Sequence, residues 1–326
     1  MALREKVTQC ILNNHPIPEG MQNPRYAFYY NDYKDNLFCP MSERTLASYE
    51  EGNGGETKSQ TIQRYGRNYT IPAKMASIVS SSAMTFNLLG NDSVTIKKED
   101  VLPCGVYDVE YEKKMQILTI GNKPAHLDAF LSDEQNKTAI FCEMKVLEWL
   151  GEPSKIRASY FSDKYYFKAN MASVPHPKDA YEFFVKWANV LKSVSFKRYD
   201  AWQMFKHLLA IYNYTSFVTK DSINKFGHDN SMAGKYNRII LANVINEFPA
   251  SLIDDGETRD QYEQALCEER EEARIFIDTM KHCEIPWIFD NNCNSGIEIK
   301  YLSAKSFADA IDMTDAKRDY LKRYYS

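Results

Sequence analysis

The sequence predicts a mixed α/β fold whose core runs helix, antiparallel meander of strands, helices, strand, with additions at both ends. Three observations predict it. An apolar stripe of helical period runs from Met75 to Leu89 and stops at Gly90, where a helix C-cap would stand. Short apolar or alternating runs follow, "GVYDVEYE", "MQILTI", "AHLDAFL" and "TAIFCEMKV", separated by turn residues. Two stretches of helical period, "AYEFFVKWANVLKSV" and "YDAWQMFKHLLAIYN", then lead into the strand-like "NRIILANVI".

In the first helix, Met75, Ile78, Val79, Ser82, Phe86 and Leu89 form the packed face, and the small run Ser80-Ser81-Ser82-Ala83 permits close approach of a neighbour. The strand runs are joined by "KK", "GNKP" and "SDEQNK". Beyond the core, "RDQYEQALCEEREEARIFIDTMKH" reads as a long acidic amphipathic helix, "GIEIKYL" as a short strand and "SFADAIDMTDAKRDYLKRYY" as one or two closing helices. Residues 1–70, rich in Tyr, Asn and Gly, show no sustained period. The chain therefore divides into an irregular extension (1–70), a core (71–250) and a mostly helical addition packed on the core (251–326), with no internal repeat or obvious linker after residue 70.

Composition narrows the class. With 326 residues, 44% of them apolar, the chain can bury a large core without staples. The seven cysteines are scattered and never form a CxxC pair, and the six histidines show no HExxH spacing, so neither a disulfide framework nor a zinc site is suggested. No apolar run reaches membrane-spanning length and the first residues lack the apolar heart of a signal peptide, which reads as a cytoplasmic protein with no membrane partner. Net charge is −4 but uneven: Lys155–Lys225 holds 12 Lys and Arg against 5 Asp and Glu, whereas Phe226–Met280 holds 5 against 12. A basic middle suits phosphate contacts, and two oppositely charged solvated faces would read the same way.

The chemistry lies in "AHLDAFL" and "TAIFCEMKV". If these are arms of a hairpin centred between Gln135 and Asn136, Asp128 and Glu143 are equidistant from the turn and sit opposite one another on one face. Period 2 adds Lys145 to that face, with His126 roughly opposite it, while Cys142, Met144 and Val146 point away. Opposed carboxylates repel unless a cation lies between them, and hard oxygen ligands suit Mg²⁺ or Mn²⁺. A lysine beside them would orient an attacking water or stabilise charge on a phosphorane.

This arrangement resembles the PD-(D/E)XK nuclease superfamily. The resemblance covers roughly residues 74–246 and implies a restriction-endonuclease-like core of helix, three-stranded antiparallel meander, helix and strand, in which Asp128 is the first metal-binding acid and Glu143-Met144-Lys145 the E-x-K element. Glu148 sits as in E-x-K-x-x-E variants, "SSSAMTFNLLG" looks like the corresponding helix of bacterial restriction-endonuclease-like proteins, and "YDAWQMFKHLLA" is similar to their Gln-bearing helix. On that helix Gln203, Lys206 and His207 share a face opposite Met204, Phe205, Leu208 and Ile211. Two departures stand out: "LD" replaces "PD", and "AKMASIVSSSAMTFNLLG" carries no acid, leaving a third protein ligand unassigned.

Roughly one E-x-K is expected by chance in a chain this long, and four occur. Glu56, in a Gly-rich loop, and Glu112, at a turn between strands, read as solvated charges. The rival is "IFDNNCNSGIEIKYL", with Asp290, Glu298 and Lys300, but no helix-plus-meander precedes it. His126 reads as an ordinary strand histidine and the serine run as close packing.

The resulting expectation is a Mg²⁺- or Mn²⁺-dependent nuclease, a DNA endonuclease of restriction type. Asp128 and Glu143 bind the metal, Lys145 and Gln203 complete the catalytic set, and Glu148 and Lys206 support it or contact phosphate. Homodimerisation would suit a double-strand cutter. The alternative is a nuclease-fold module without turnover that binds nucleic acid or a protein, with the acidic helix around Glu268–Glu272 as its interaction surface.

Overall fold

A computed structural model describes residues 2–51, 55–64, 66–115, 124–155, 188–215, 232, 235–282 and 297–326. Its centre is a six-stranded mixed sheet in spatial order β3-β4-β5-β6-β7-β8. Strands β3 (Ser93–Ile96), β4 (Gly105–Met115), β5 (Ala125–Asp133) and β6 (Thr138–Lys145) are successively antiparallel. Strands β7 (Arg238–Ile245) and β8 (Ile297–Ser303) continue the sheet parallel to β6. Among the described residues no helix is long and apolar enough to cross a membrane.

Seven helices accompany the sheet among the described elements: α1 (Leu3–Asn14), α2 (Glu43–Glu51), α3 (Ser81–Leu89), α4 (Ala201–Thr215), α5 (Gly256–His282), α6 (Ala304–Ala310) and α7 (Asp315–Tyr325). Strand β6 shows how they cover it. Ile140, Cys142 and Met144 enter the core shared with α3, α6 and α7, whereas Ala139 and Phe141 enter the one shared with α4. Both faces are therefore buried, which is why β6 is apolar without alternation. Burying one such side chain fully contributes about 2–3 kcal/mol.

The observed order is α3, four antiparallel strands β3-β4-β5-β6, α4 and β7, one strand more than the three-stranded meander expected. Three further details differ from the sequence reading. Helix α3 begins only at Ser81, because Ser80 caps it by accepting from Ala83 N at 3.2 Å, while Met75–Val79 lie in and after a 3₁₀ turn. It ends as expected at Gly90, whose φ of +90° favours glycine. The Lys113-Lys114 pair is no turn but the end of an eleven-residue β4, while the rest of "MQILTI" and most of "AYEFFVKWANVLKSV" lie outside the described residues.

The third difference is larger. Residues 1–70 are not irregular: they hold α1, α2 and a hairpin of β1 (Gln60–Arg64) with β2 (Arg67–Ile71). Val7, Ile11 and Tyr49 belong to the main core. Tyr49 stacks on Tyr111 of β4 at 4.8 Å, and Ser48 Oγ donates to Tyr111 O at 2.7 Å. These helices are short and bury only Val7, Thr8 and Ile11 in α1 and Thr45 and Tyr49 in α2, too few to show a sustained apolar period.

Candidate active site

The β5–β6 ladder pairs Ala129 with Cys142, Phe130 with Phe141 and Leu131 with Ile140, the register expected from a turn centred between Gln135 and Asn136. Pairing stops at Ala129 and Cys142, so Asp128 and Glu143 face each other where the two strands part. Asp128 Oδ2 accepts from Met144 N at 2.6 Å, which fixes its carboxylate against the backbone between Glu143 and Lys145. Asp128 is half-buried and Glu143 is 3% exposed.

Glu143 is heavily tied. Lys145 Nζ donates to its Oε1 at 2.5 Å, Gln203 Nε2 donates to the same oxygen at 2.7 Å, and Lys145 Nζ also donates to Gln203 Oε1 at 2.8 Å. His207 Nε2, one turn along α4 from Gln203, stands 3.0 Å from Glu143 Oε2. Neither ring nitrogen of His207 meets hydrogen-bond geometry, so the contact is a close approach of ring and carboxylate. Asn243 Nδ2 on β7 donates to Glu143 O at 3.2 Å. The helix is aimed by Asp200, whose Oδ1 accepts from Gln203 N at 3.0 Å.

Electrostatics separate the two acids. Burial would raise the Glu143 carboxyl, but Lys145 and His207 outweigh it and hold it near about 2. Asp128 is less well compensated: burial first, then Glu143 and Glu112, push it well above the aspartate range against the smaller opposing pull of Lys145 and the Met144 amide. Burial would lower Lys145, and the Glu143, Glu148 and Asp128 carboxylates raise it instead, so it stays an ammonium.

Two acids taken as solvated belong to this cluster. Glu112 lies within β4 and not at a turn, with φ +50°, an uncommon conformation for a non-glycine residue. The flanking pairs Tyr111↔Ala129 and Lys113↔Leu127 set it across from Asp128. Burial, above all, raises its carboxyl, and His126 Nδ1 stands 3.8 Å away. Glu56 is 4% exposed, accepts from Ser82 Oγ at 2.6 Å and pairs with Lys74. The serine run thus does more than allow close packing.

Among the remaining predicted residues, Glu148 Oε2 accepts from Val146 N and Leu147 N at 2.7 and 3.0 Å and fixes the chain just past Lys145. Lys206 is half-buried on α4 between Gln203 and His207. Lys145, Glu148, Asp200, Gln203, Asn243 and Glu269 line a cavity of about 130 Å³. The rival acid Asp290 lies outside the described residues, while Glu298 and Lys300 pair with each other at 3.2 Å and Glu298 also meets Arg238 at 3.5 Å. The acidic helix is not a free surface throughout: Glu269 is 1% exposed, and Glu272 accepts from the amides of Lys197, Arg198 and Tyr199.

Among the described residues no three His, Cys, Asp or Glu side chains already stand in metal-ligating geometry. The donor set nevertheless fits a hard divalent cation. Asp128 and Glu112 are neighbouring carboxylates whose ionisation burial disfavours, and an ion bound there would relieve that cost. No family model, curated protein or solved structure matches the chain.

Proposed function

We propose that this chain is a metal-dependent phosphodiesterase acting on nucleic acid, a DNA endonuclease of restriction type built on a restriction-endonuclease-like core. One observation carries the reading: Asp128, Glu143 and Lys145 meet at the parting of β5 and β6, with Asp128 bonded to the amide between the other two. The order α3, β4-β5-β6, α4, β7, with β7 parallel to β6, supports it.

Asp128 and Glu143 would hold Mg²⁺ or Mn²⁺ together with the backbone carbonyl that follows Glu143, and Glu112 and Glu56 are the further carboxylates of the cluster. Such an ion, when bound, supplies Lewis-acid polarisation of phosphate and a more acidic water. The protein's own share is positional. Lys145, held by Gln203, presents an ammonium donor to a nucleophilic water and to developing phosphorane charge. Lys145 and His207 hold down the Glu143 carboxyl, and Gln203 orients it.

The test is nicking of supercoiled plasmid in Mg²⁺ or Mn²⁺ by the native chain and by Lys145→Met; equal nicking by both refutes the reading. A nuclease-fold module without turnover is the second reading, favoured by the fact that both Glu143 carboxylate oxygens already face protein groups. Thermal denaturation with and without Mn²⁺ separates the two, because a working site gains stability from its ion.

A further inference from the structure

Beside the acid cluster lies a polar groove. Residues 55–57 and 72–76 run together, with Lys74 N donating to Gly55 O and Met75 N to Glu56 O, each at 3.0 Å. From this paired segment Glu56 turns its carboxylate to Lys74 and Ser82, while its neighbour Thr57, with Ala73 and Ala76, lines a groove of about 730 Å³. The amino-terminal segment supplies another wall: Arg25, Tyr26, Tyr33 and Lys34, with the amides Asn23 and Asn31.

The lining has a definite chemistry. Tyr26 is fixed, its hydroxyl donating to Thr70 O at 3.1 Å and its ring meeting Tyr29 edge-on at 5.7 Å. Arg25 and Lys34 are exposed, and among the described residues neither has an ion-pair partner. Asp32, the one acid in the lining, accepts from Lys34 N at 3.0 Å. Thr57 Oγ1 is buried without a hydrogen-bond partner among the described residues. Aromatic faces beside unpaired cations and amides bind nucleotides whose bases have left the stack, and a groove of this volume takes a small-molecule-sized group, not a duplex.

We propose that this groove seats unpaired nucleotides of the strand presented to the acid cluster, an inference that rests on the nuclease reading above. The experiment is fluorescence anisotropy in EDTA with labelled single-stranded DNA, single-stranded RNA of the same sequence and blunt duplex DNA. It compares the native chain with the double variant Arg25→Gln/Lys34→Gln, whose folding is checked by circular dichroism.

A single strand should bind about tenfold tighter than duplex, and preference between the DNA and RNA strands names the sugar. The double variant should bind about tenfold more weakly, with the slope of log affinity against log salt shallower by about 1.4, two phosphate contacts at about 0.7 each. Duplex binding as tight as either single strand, or a double variant that binds like the native chain, overturns the proposal. Binding is read without metal, so failure of the Lys145→Met comparison sinks hydrolysis alone, and an unchanged Arg25/Lys34 variant sinks the groove alone.

Discussion

His207 Nε2 stands 3.0 Å from Glu143 Oε2 while both side chains are closed off from solvent. A buried carboxylate is tolerated only when it is compensated, and His207 shares that task with Lys145 and Gln203. His207→Ala removes one partner and leaves a void on the buried face of α4, so it should lower unfolding free energy by about 3 kcal/mol in urea titrations. His207→Gln, which keeps a polar group beside Glu143, should lose about half as much.

Lys145→Met should reduce plasmid nicking at least about 100-fold, the size expected when a donor aimed at transition-state charge is lost. Gln203→Ala removes a bond to Lys145 and a bond to Glu143 together, so it should give a smaller loss, about tenfold, read as initial rates in Mg²⁺.

Asp128→Asn should trade activity for stability. Burial holds the native carboxyl above its ordinary range, so the folded state binds this proton more tightly than the unfolded state. Stability then falls as pH rises from the ordinary aspartate range toward the raised folded value. The amide carries no such cost, and the variant should be about 1 kcal/mol more stable than the native chain at neutral pH while losing nicking.

Manganese should stabilise the native chain and leave Asp128→Asn nearly unmoved. At a metal concentration 100 times the dissociation constant the gain is about 2.7 kcal/mol. Differential scanning calorimetry would record it as a rise of several degrees in Tm.

Glu269 gives a pH prediction separate from the acid cluster. Burial, then Glu272 and Asp200, lift its carboxyl to about 8, against the opposing pull of Lys145 and Arg198. The folded state again holds the proton more tightly, so this group's contribution declines between the ordinary glutamate range and about pH 8. Glu269→Gln should flatten that decline, gaining roughly 2 kcal/mol over the native chain above pH 8 in denaturation series at pH 6 and 9.

The hairpin register was legible because turn symmetry and period 2 act locally, and they placed Asp128 opposite Glu143 correctly. The helical period of α4 put Gln203, Lys206 and His207 on one face, and the resemblance to a Gln-bearing helix singled out Gln203. Glu56 and Glu112 were not, because nothing local marks a charge as buried. Glu56 is enclosed by Lys74 and Ser82, 18 and 26 positions further on, and Glu112 by the arrival of β5. The two amino-terminal helices were missed because they bury so few side chains, Val7, Thr8 and Ile11 in α1 and Thr45 and Tyr49 in α2, that no sustained period marks them.

The donors that steady Glu143 and Lys145 arrive late in synthesis: Gln203 follows them by 60 and 58 positions, and Asn243 follows Glu143 by 100. A nascent chain that has just completed the meander therefore carries the acids before their counterparts exist. Closing such long loops is the slow part of folding. On the proposed nuclease reading this delay is protective, since a half-made chain would have no assembled machinery with which to cut nucleic acid.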